Sequence, residues 1–258
     1  MACALITGGT SGIGHAFARE LARRGTDLVL VARNPERLDE VAEELSASHG
    51  IAVECFPADL AVREDVLRVA ERIEDDERPI DLLINNAGFG LHTTLLNRDI
   101  EVHERALDVM ALAVLILGGA AGRAMRVRGR GQIINVSSSA GAIFTGNYSA
   151  VKAWCTTYSN SLALELRGTG VSVTALLPGW VRTEFHQRAG IKATTLPDAV
   201  WIDEDFLVTQ ALADADAGKP ESIPGWKWRG AMFLAHHGPR AAVRSFSRLL
   251  SNSRKNHD

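Results

Sequence analysis

A chain of 258 residues with 28 Lys and Arg against 31 Asp and Glu, a formal charge of -3 and 46% hydrophobic residues fits one ordinary globular domain spanning 1–258. The near balance of charge excludes a nucleic-acid binder, whose counterion-releasing affinity needs an excess of Lys and Arg, and the apolar content excludes a disordered chain. Cys3, Cys55 and Cys155 are odd in number and far apart, which excludes a disulfide framework or a zinc ligand set and predicts a reducing, cytoplasmic setting for a chain that runs from Met1 straight into structure without a basic leader.

Short apolar, β-branched runs alternate with longer helical patterns as far as about residue 178, the sequence form of repeated strand-helix-strand units. The fold class this predicts is α/β, a three-layer doubly wound parallel sheet covered by helices on both faces. The first strand, Ala2 to Thr7, ends in Thr7-Gly8-Gly9-Thr10-Ser11-Gly12-Ile13-Gly14 and opens the helix Ile13 to Arg24, closed by Gly25. Glycines there permit a tight turn and close approach of a phosphate, so Gly8, Thr10, Ser11, Gly12, Ile13 and Gly14 are candidates to hold a dinucleotide pyrophosphate on a helix N-terminus. A bare strand-to-helix turn would carry the same glycines.

The second strand, Asp27 to Ala32, ends at Arg33. An acidic residue at that place binds the ribose hydroxyls of NAD, whereas an arginine neutralises a 2′-phosphate, so Arg33 favours NADP(H) over NAD(H). The plainer alternative is a solvated strand-end arginine. Arg37 either assists it or pairs with Glu36 or Glu40. The helix Pro35 to Ser48 starts with Pro at a position where a missing N–H costs nothing. Next come the strand Ile51 to Pro57, the helix Arg63 to Asp76 with a solvated acidic end at Glu74 to Glu77, and the strand Ile80 to Asn85. The long helix Asp99 to Val127 holds the longest uncharged stretch of any predicted helix, Val109 to Gly122, which at about 14 residues is short of a membrane span and reads as buried. Arg123, Arg126, Arg128 and Arg130 at its end complement the helix dipole.

After the strand Gln132 to Ser137 comes the run Ser137-Ser138-Ser139, then Tyr148-Ser149-Ala150-Val151-Lys152 at the head of the helix Ser149 to Gly168, and last the strand Val171 to Leu177. A spacing of four puts Tyr148 and Lys152 on one helix face, and a cation beside a phenol favours its ionised form and eases proton exchange. Such a pair alone is an ordinary helix surface. Here it follows the serine run by roughly ten residues, at the carboxyl edge of the sheet where ligands of open α/β folds bind. Eight histidines, His236-His237 included, show no metal-ligand spacing, so no metal is expected.

These segments together resemble the short-chain dehydrogenase/reductase family, in its compact single-domain form with the TGxxxGxG turn and the YxxxK pair. The resemblance covers about residues 2–185 and adds Asp59-Leu60 after the third strand, Asn85-Asn86-Ala87-Gly88 after the fourth and Pro178-Gly179-Trp180-Val181-Arg182-Thr183 after the sixth. It implies that Asp59 and Leu60 contact adenine, that Asn86, Ala87 and Gly88 support the sheet beside the cofactor, and that Lys152 holds the nicotinamide ribose. It also implies that Pro178, Gly179, Val181 and Thr183 lie along the nicotinamide, and that Ser138, with Ser139 as fallback, orients a substrate for Tyr148. The family usually carries an asparagine where Met110 stands here, part of a water chain from the active-site lysine; a thioether cannot replace it. The loop from Ser138 to Tyr148 is about three residues shorter than the family's common spacing, so the mouth of the site is expected to differ.

The expected activity is an NADP(H)-dependent hydride transfer between nicotinamide and a carbonyl or secondary alcohol, on a hydrophobic ketone or 3-oxoacyl compound. Trp180, Phe185, Trp201 and Phe206 would line an apolar substrate side. The alternative is a non-catalytic dinucleotide-binding or scaffolding protein of the same fold. A homodimer or homotetramer is expected. Residues from about 184 to 258 read as a substrate-facing and helical elaboration in place of the family's glycine-rich seventh-strand ending. Its last helix, Pro239 to Ser251, repeats Val243, Phe246, Leu249 and Leu250 beside a basic row of Arg240, Arg244 and Arg248. That pattern fits packing against the body or, with Trp226 or Trp228 at the interface, contact with an anionic membrane.

Overall fold

The computed structural model describes residues 2–91, 93–181 and 200–255, with the side chains of the last helix described as far as Arg248 apart from Phe246. Seven strands form one parallel sheet in the order β3-β2-β1-β4-β5-β6-β9. They are β1 (Cys3–Thr7), β2 (Asp27–Ala32), β3 (Val53–Pro57), β4 (Leu82–Asn85), β5 (Gly131–Val136), β6 (Val171–Leu176) and β9 (Glu221–Ser222). A separate two-stranded ribbon pairs β7 (Trp180–Val181) with β8 (Trp201–Ile202).

Alternation along the strands builds the two apolar layers. Ala4 and Ile6, Leu28 and Leu30, and Leu82 and Ile84 face one side, against Phe17 and Leu21 of α1 (Gly12–Arg23), Leu38 and Val41 of α2 (Pro35–His49) and Leu207 and Leu212 of α7 (Glu204–Asp216). Leu5, Val29, Val31 and Leu83 face the other, against Val66 and Val69 of α3 (Arg63–Ile73) and the helices α4 (Glu101–Leu107), α5 (Ala113–Arg128) and α6 (Asn147–Glu165). Both faces are therefore dry, which is why these strands are continuously apolar. The local signals at Pro35 and Gly25 hold, Pro35 standing at the first position of α2. Asn34 accepts the Arg37 N–H at 2.6 Å ahead of Pro35, and Gly25 lies at φ +75° beyond α1.

Three expectations are corrected. The predicted helix Asp99 to Val127 is not regular: α4 and α5 are joined by a π turn over Asp108–Leu112, in which the Ala113 N–H reaches back to the Asp108 carbonyl. The extra residue re-phases the helix so that Val109, Met110, Ala113 and Leu117 all face inward. Among the described residues, the run Glu101–Arg128 is long and apolar enough to cross a membrane, but 56% of its apolar window is buried in the fold.

Secondly, a seventh strand exists without a glycine-rich ending. Two residues suffice at the sheet edge because the buried Asp214 of α7 anchors them, accepting from Ser222 Oγ at 2.7 Å and from Lys219 Nζ at 2.7 Å. Thirdly, α3 stops at Ile73. Glu74 instead pairs with Arg123 at 2.8 Å and Asp75 with Arg78 at 2.8 Å, so the acidic run is an ion-paired connection.

Two further helices complete the described chain, α8 (Trp226–His237) and α9 (Arg240–Lys255). Val243 and Ser247 of α9 are buried, and the Phe144 N–H donates to Ser247 Oγ at 3.0 Å, so α9 packs on the turn preceding α6. Trp228 is no interfacial anchor: it packs against the first apolar layer, and its Nε1 donates to the Val200 carbonyl at 3.2 Å. Trp226 is exposed, and the side chains of Phe246, Leu249 and Leu250 lie outside the described residues.

Candidate active site

The strand order reverses at β1, whose neighbours are β2 on one side and β4 on the other, and this opens a crevice beyond the strands' carboxyl ends. Each sequence motif lies just past a strand end on that edge: Gly8 after β1, Arg33 after β2, Asp59 after β3, Asn86 after β4, Ser138 after β5 and Pro178 after β6.

The glycine turn is a cradle for an anion. Gly8 and Gly12 sit at φ +67° and +52°, where side chains are disfavoured. A β-carbon at Gly14 would collide with the Gly8 carbonyl oxygen and the Asn86 side chain. The first turn of α1 contains no acidic residue, and Ser11 makes no side-chain cap, so its N–H groups point at the turn. Thr7 ties this turn to the fourth strand. Its hydroxyl accepts the N–H groups of Asn86 and Ala87 at 2.9 and 3.0 Å, and Asn86 Nδ2 donates to the Thr7 and Gly8 carbonyls at 3.0 and 3.2 Å. The chemistry of this cradle, uncharged and rich in aimed N–H donors, fits a pyrophosphate.

Arg33 is exposed at its strand end, while Arg37 pairs with Glu40 at 2.8 Å. Burial pushes the Asp59 carboxyl up, but hydrogen bonds from Arg105 and the Ala61 N–H and the charges of Arg105 and Arg33 outweigh it, so its pKa lies below the usual range. The Leu60 side chain is buried in the second apolar layer.

On α6, Lys152 Nζ lies 5.8 Å from the centroid of the Tyr148 ring, as the spacing of four predicts. Lys152 is only 5% exposed and donates one hydrogen bond to the Val136 carbonyl at 2.8 Å, keeping two donors for other groups. Ser137 is buried and clasps α6, donating to the Lys152 carbonyl at 2.7 Å and lying 2.7 Å from Thr156 Oγ1. Beneath it Asn85 Nδ2 donates to Asn135 Oδ1 and Asn135 Nδ2 to Ser159 Oγ, both at 2.9 Å. The strand ends and α6 are thereby locked in register.

Ser138 caps a 3₁₀ turn, Ser139–Ala142, its Oγ accepting the Ala140 N–H at 3.1 Å and so keeping its own proton to donate. The backbone of Ser139 donates to the Pro178 carbonyl at 3.0 Å, joining the serine turn to the segment after β6. Of the two tyrosines, Tyr158 is unsuited to proton exchange: burial, chiefly, pushes it up to about 12, and its hydroxyl donates to the Leu115 carbonyl. Burial likewise pushes the Cys3 and Cys55 thiols up to about 11, so neither is a ready nucleophile.

Thr183 and Phe185 lie outside the described residues. Trp180 and Trp201 meet edge to face at 6.0 Å on the β7–β8 ribbon, whereas Phe206 stands half-exposed in the first turn of α7, which packs on α1. Met110 is fully buried, its sulfur beside Gly88, so that a β-carbon there would lie 3.2 Å from the thioether.

Two residues near the site had no local signal. Trp228 covers Gly179 so closely that any β-carbon would strike the indole, and Arg105 reaches Asp59 across 46 residues of sequence. Among the described residues no group of three or more His, Cys, Asp or Glu is placed to hold a metal.

The family model described as short chain dehydrogenase matches residues 2–193. A short-chain dehydrogenase from Sphingobium yanoikuyae, solved in complex with NADPH, is 37% identical and superposes with a TM-score of 0.83, covering 95% of this chain and 97% of that one. A bulky-bulky ketone specific alcohol dehydrogenase from Comamonas testosteroni is 31% identical, with a TM-score of 0.79 and 95% of each chain covered. A galactitol 2-dehydrogenase (L-tagatose-forming) from Cereibacter sphaeroides is 34% identical over 241 residues, 91% of this chain and 87% of that one.

Proposed function

The chain belongs to the short-chain dehydrogenase family and is an oxidoreductase, and on that premise we propose that it is an NADP(H)-dependent carbonyl reductase/alcohol dehydrogenase folded as one domain. The observation that carries this reading is the lock between Ser137 and the Lys152 carbonyl, which sets Ser138, Tyr148 and Lys152 on the same sheet edge as the glycine cradle.

When bound, the nicotinamide supplies or takes up the hydride. The first turn of α1 would hold the pyrophosphate on its N–H groups, and Arg33 would pair with the 2′-phosphate by a charge-assisted contact. NAD(H), lacking that phosphate, is the poorer partner. Lys152, with one bond fixed to Val136, directs its remaining donors at the ribose hydroxyls. In the reducing direction the Ser138 hydroxyl would donate to the substrate carbonyl oxygen, and the Tyr148 hydroxyl would deliver the proton to that oxygen. The product is a secondary alcohol, and the phenolate left on Tyr148 is stabilised by the Lys152 charge until it is reprotonated.

A hydrophobic ketone is the substrate class the Trp180–Trp201 pair favours. Following NADPH oxidation across a panel of bulky ketones, 3-oxoacyl thioesters and keto sugars tests this. Turnover confined to the sugars would overturn the substrate class, and none on any carbonyl would overturn the activity. The exposed Leu112 and Leu115 of the long helix and Trp154 and Leu164 of α6 form the faces on which a homodimer or homotetramer would assemble. The three free cysteines accord with a cytoplasmic enzyme.

Arg33→Ala is expected to abolish the preference for NADP(H) over NAD(H) while leaving NAD(H) binding near its wild-type value. Dissociation constants for both coenzymes from quenching of tryptophan fluorescence give the ratio, and an unchanged ratio would mean that another group reads the phosphate. Met110→Asn is expected to lower stability by about 1–3 kcal/mol, the cost of an amide without partners in this apolar place, and to shift the pH optimum of turnover by restoring a water-relay group. Thermal melting and a pH–rate profile read the two effects. An unshifted profile in a folded variant would show that the proton leaves Lys152 by another route.

A further inference from the structure

Arg105 occupies a place that neither the motifs nor the chemistry of hydride transfer accounts for. It projects from α4 onto the turn after β3, where its Nη2 donates to both carboxylate oxygens of Asp59, at 3.1 and 2.8 Å. That turn is itself held against the end of β2, since the Ala58 N–H donates to the Ala32 carbonyl at 3.0 Å, and the next residue of β2 is Arg33. Arg33, Asp59 and Arg105 thus form one corner of the crevice, and the Arg33 charge is close enough to Asp59 to act on its ionisation. We propose that Arg105 is a coenzyme-specificity residue that acts through Asp59, cancelling a carboxylate charge that would otherwise neutralise Arg33 at the place where a 2′-phosphate binds. The inference rests on the NADP(H) reading of Arg33.

The acceptor count gives Arg105 a second, geometric part. Asp59 Oδ1 already takes the Ala61 N–H at 3.0 Å as well as Arg105, whereas Oδ2 takes Arg105 alone among the described residues. A carboxylate oxygen accepts about two hydrogen bonds, so Arg105 fixes the carboxylate with one site on Oδ2 free for an N–H donor such as the amino group of a purine. With Arg105 present the corner carries one net positive charge. Without it, Arg33 and Asp59 cancel, and a phosphate approaching Arg33 meets an unpaired carboxylate. Both partners are partly exposed, 42% for Arg105 and 29% for Asp59 in their side chains. Water therefore screens the effect, and a change on the order of 3- to 10-fold is expected rather than total loss.

The test uses adenosine 2′,5′-bisphosphate and 5′-AMP, which carry the adenine and differ in the 2′-phosphate, titrated calorimetrically into the full-length protein. Arg105→Met is expected to lower the preference for the bisphosphate by about 3- to 10-fold, and Asp59→Asn added to it should restore the preference to within about twofold, because the charge being cancelled is gone. Arg105→Lys, which keeps the charge and loses the planar fork, should retain most of the preference. It also serves as the reading variant if Arg105→Met melts early. An unchanged preference in Arg105→Met, or a loss that Asp59→Asn fails to restore, overturns the proposal. Arg33→Ala in the same titration separates the two ideas. If Arg33 matters and Arg105 does not, only the role of Arg105 fails. If the wild type shows no preference for the bisphosphate, the NADP(H) reading fails and takes this one with it.

Discussion

Tyr148→Phe is expected to lower turnover by about 100- to 10,000-fold, the range typical of a general acid-base group, while leaving coenzyme affinity unchanged within about twofold. The substitution removes one hydroxyl and keeps the ring, so the packing at the head of α6 and the approach of Lys152 to the ring face, 5.8 Å from its centroid, are preserved. The lysine itself is held by the Val136 carbonyl and the helix by Ser137, through bonds that do not involve the phenol. Coenzyme binding and catalysis should therefore separate. Single-turnover kinetics with saturating NADPH measure the chemical step, and fluorescence titration measures affinity. A variant that turns over at the wild-type rate when chemistry limits would remove Tyr148 as the proton donor, while a parallel loss of affinity would mean that the hydroxyl helps to bind the coenzyme. The only other tyrosine offers no rescue, since the burial of Tyr158 holds its proton firmly and its hydroxyl is committed to Leu115.

Gly14→Ala is expected to abolish coenzyme binding and to cost about 1–3 kcal/mol of stability, the usual range for overpacking a tight site. The added methyl would meet the backbone oxygen of Gly8, which cannot swing aside as a side chain can. Relief requires the glycine turn to move away from α1, and Gly8 is also tied to Asn86. The N–H groups that form the cradle would no longer converge. Calorimetric titration with NADPH and thermal melting report the two effects together. A folded Gly14→Ala variant that binds NADPH with wild-type affinity would show that the pyrophosphate is held elsewhere. By contrast, Gly25→Ala, whose added β-carbon meets nothing within 4 Å, alters only a left-handed backbone position beyond α1 and should leave affinity untouched.

What the sequence determined by itself is the part of the fold written in local patterns. The apolar runs of β1, β2, β4 and β5 mark strands buried on both faces, Pro35 marks a helix start, and the glycines from Gly8 to Gly14 mark a tight turn. That Tyr148 and Lys152 share one face was legible for the same reason, because a helix brings residues four apart together without help from the rest of the chain. What only the tertiary structure decided depends on groups far apart in sequence. The π turn at Met110 follows from fitting one long helix against a sheet and Gly88, the two-residue edge strand β9 from a buried Asp214, and the covering of Gly179 from a tryptophan on α8. Arg105 is the clearest instance: on α4 it reads as one more surface charge, and it acquires a partner only when the strand order carries Asp59 to the same edge. Local conformation is set by short-range sterics and periodicity, which a window of sequence contains. Long-range pairing is set by which strand ends become neighbours, which no window contains.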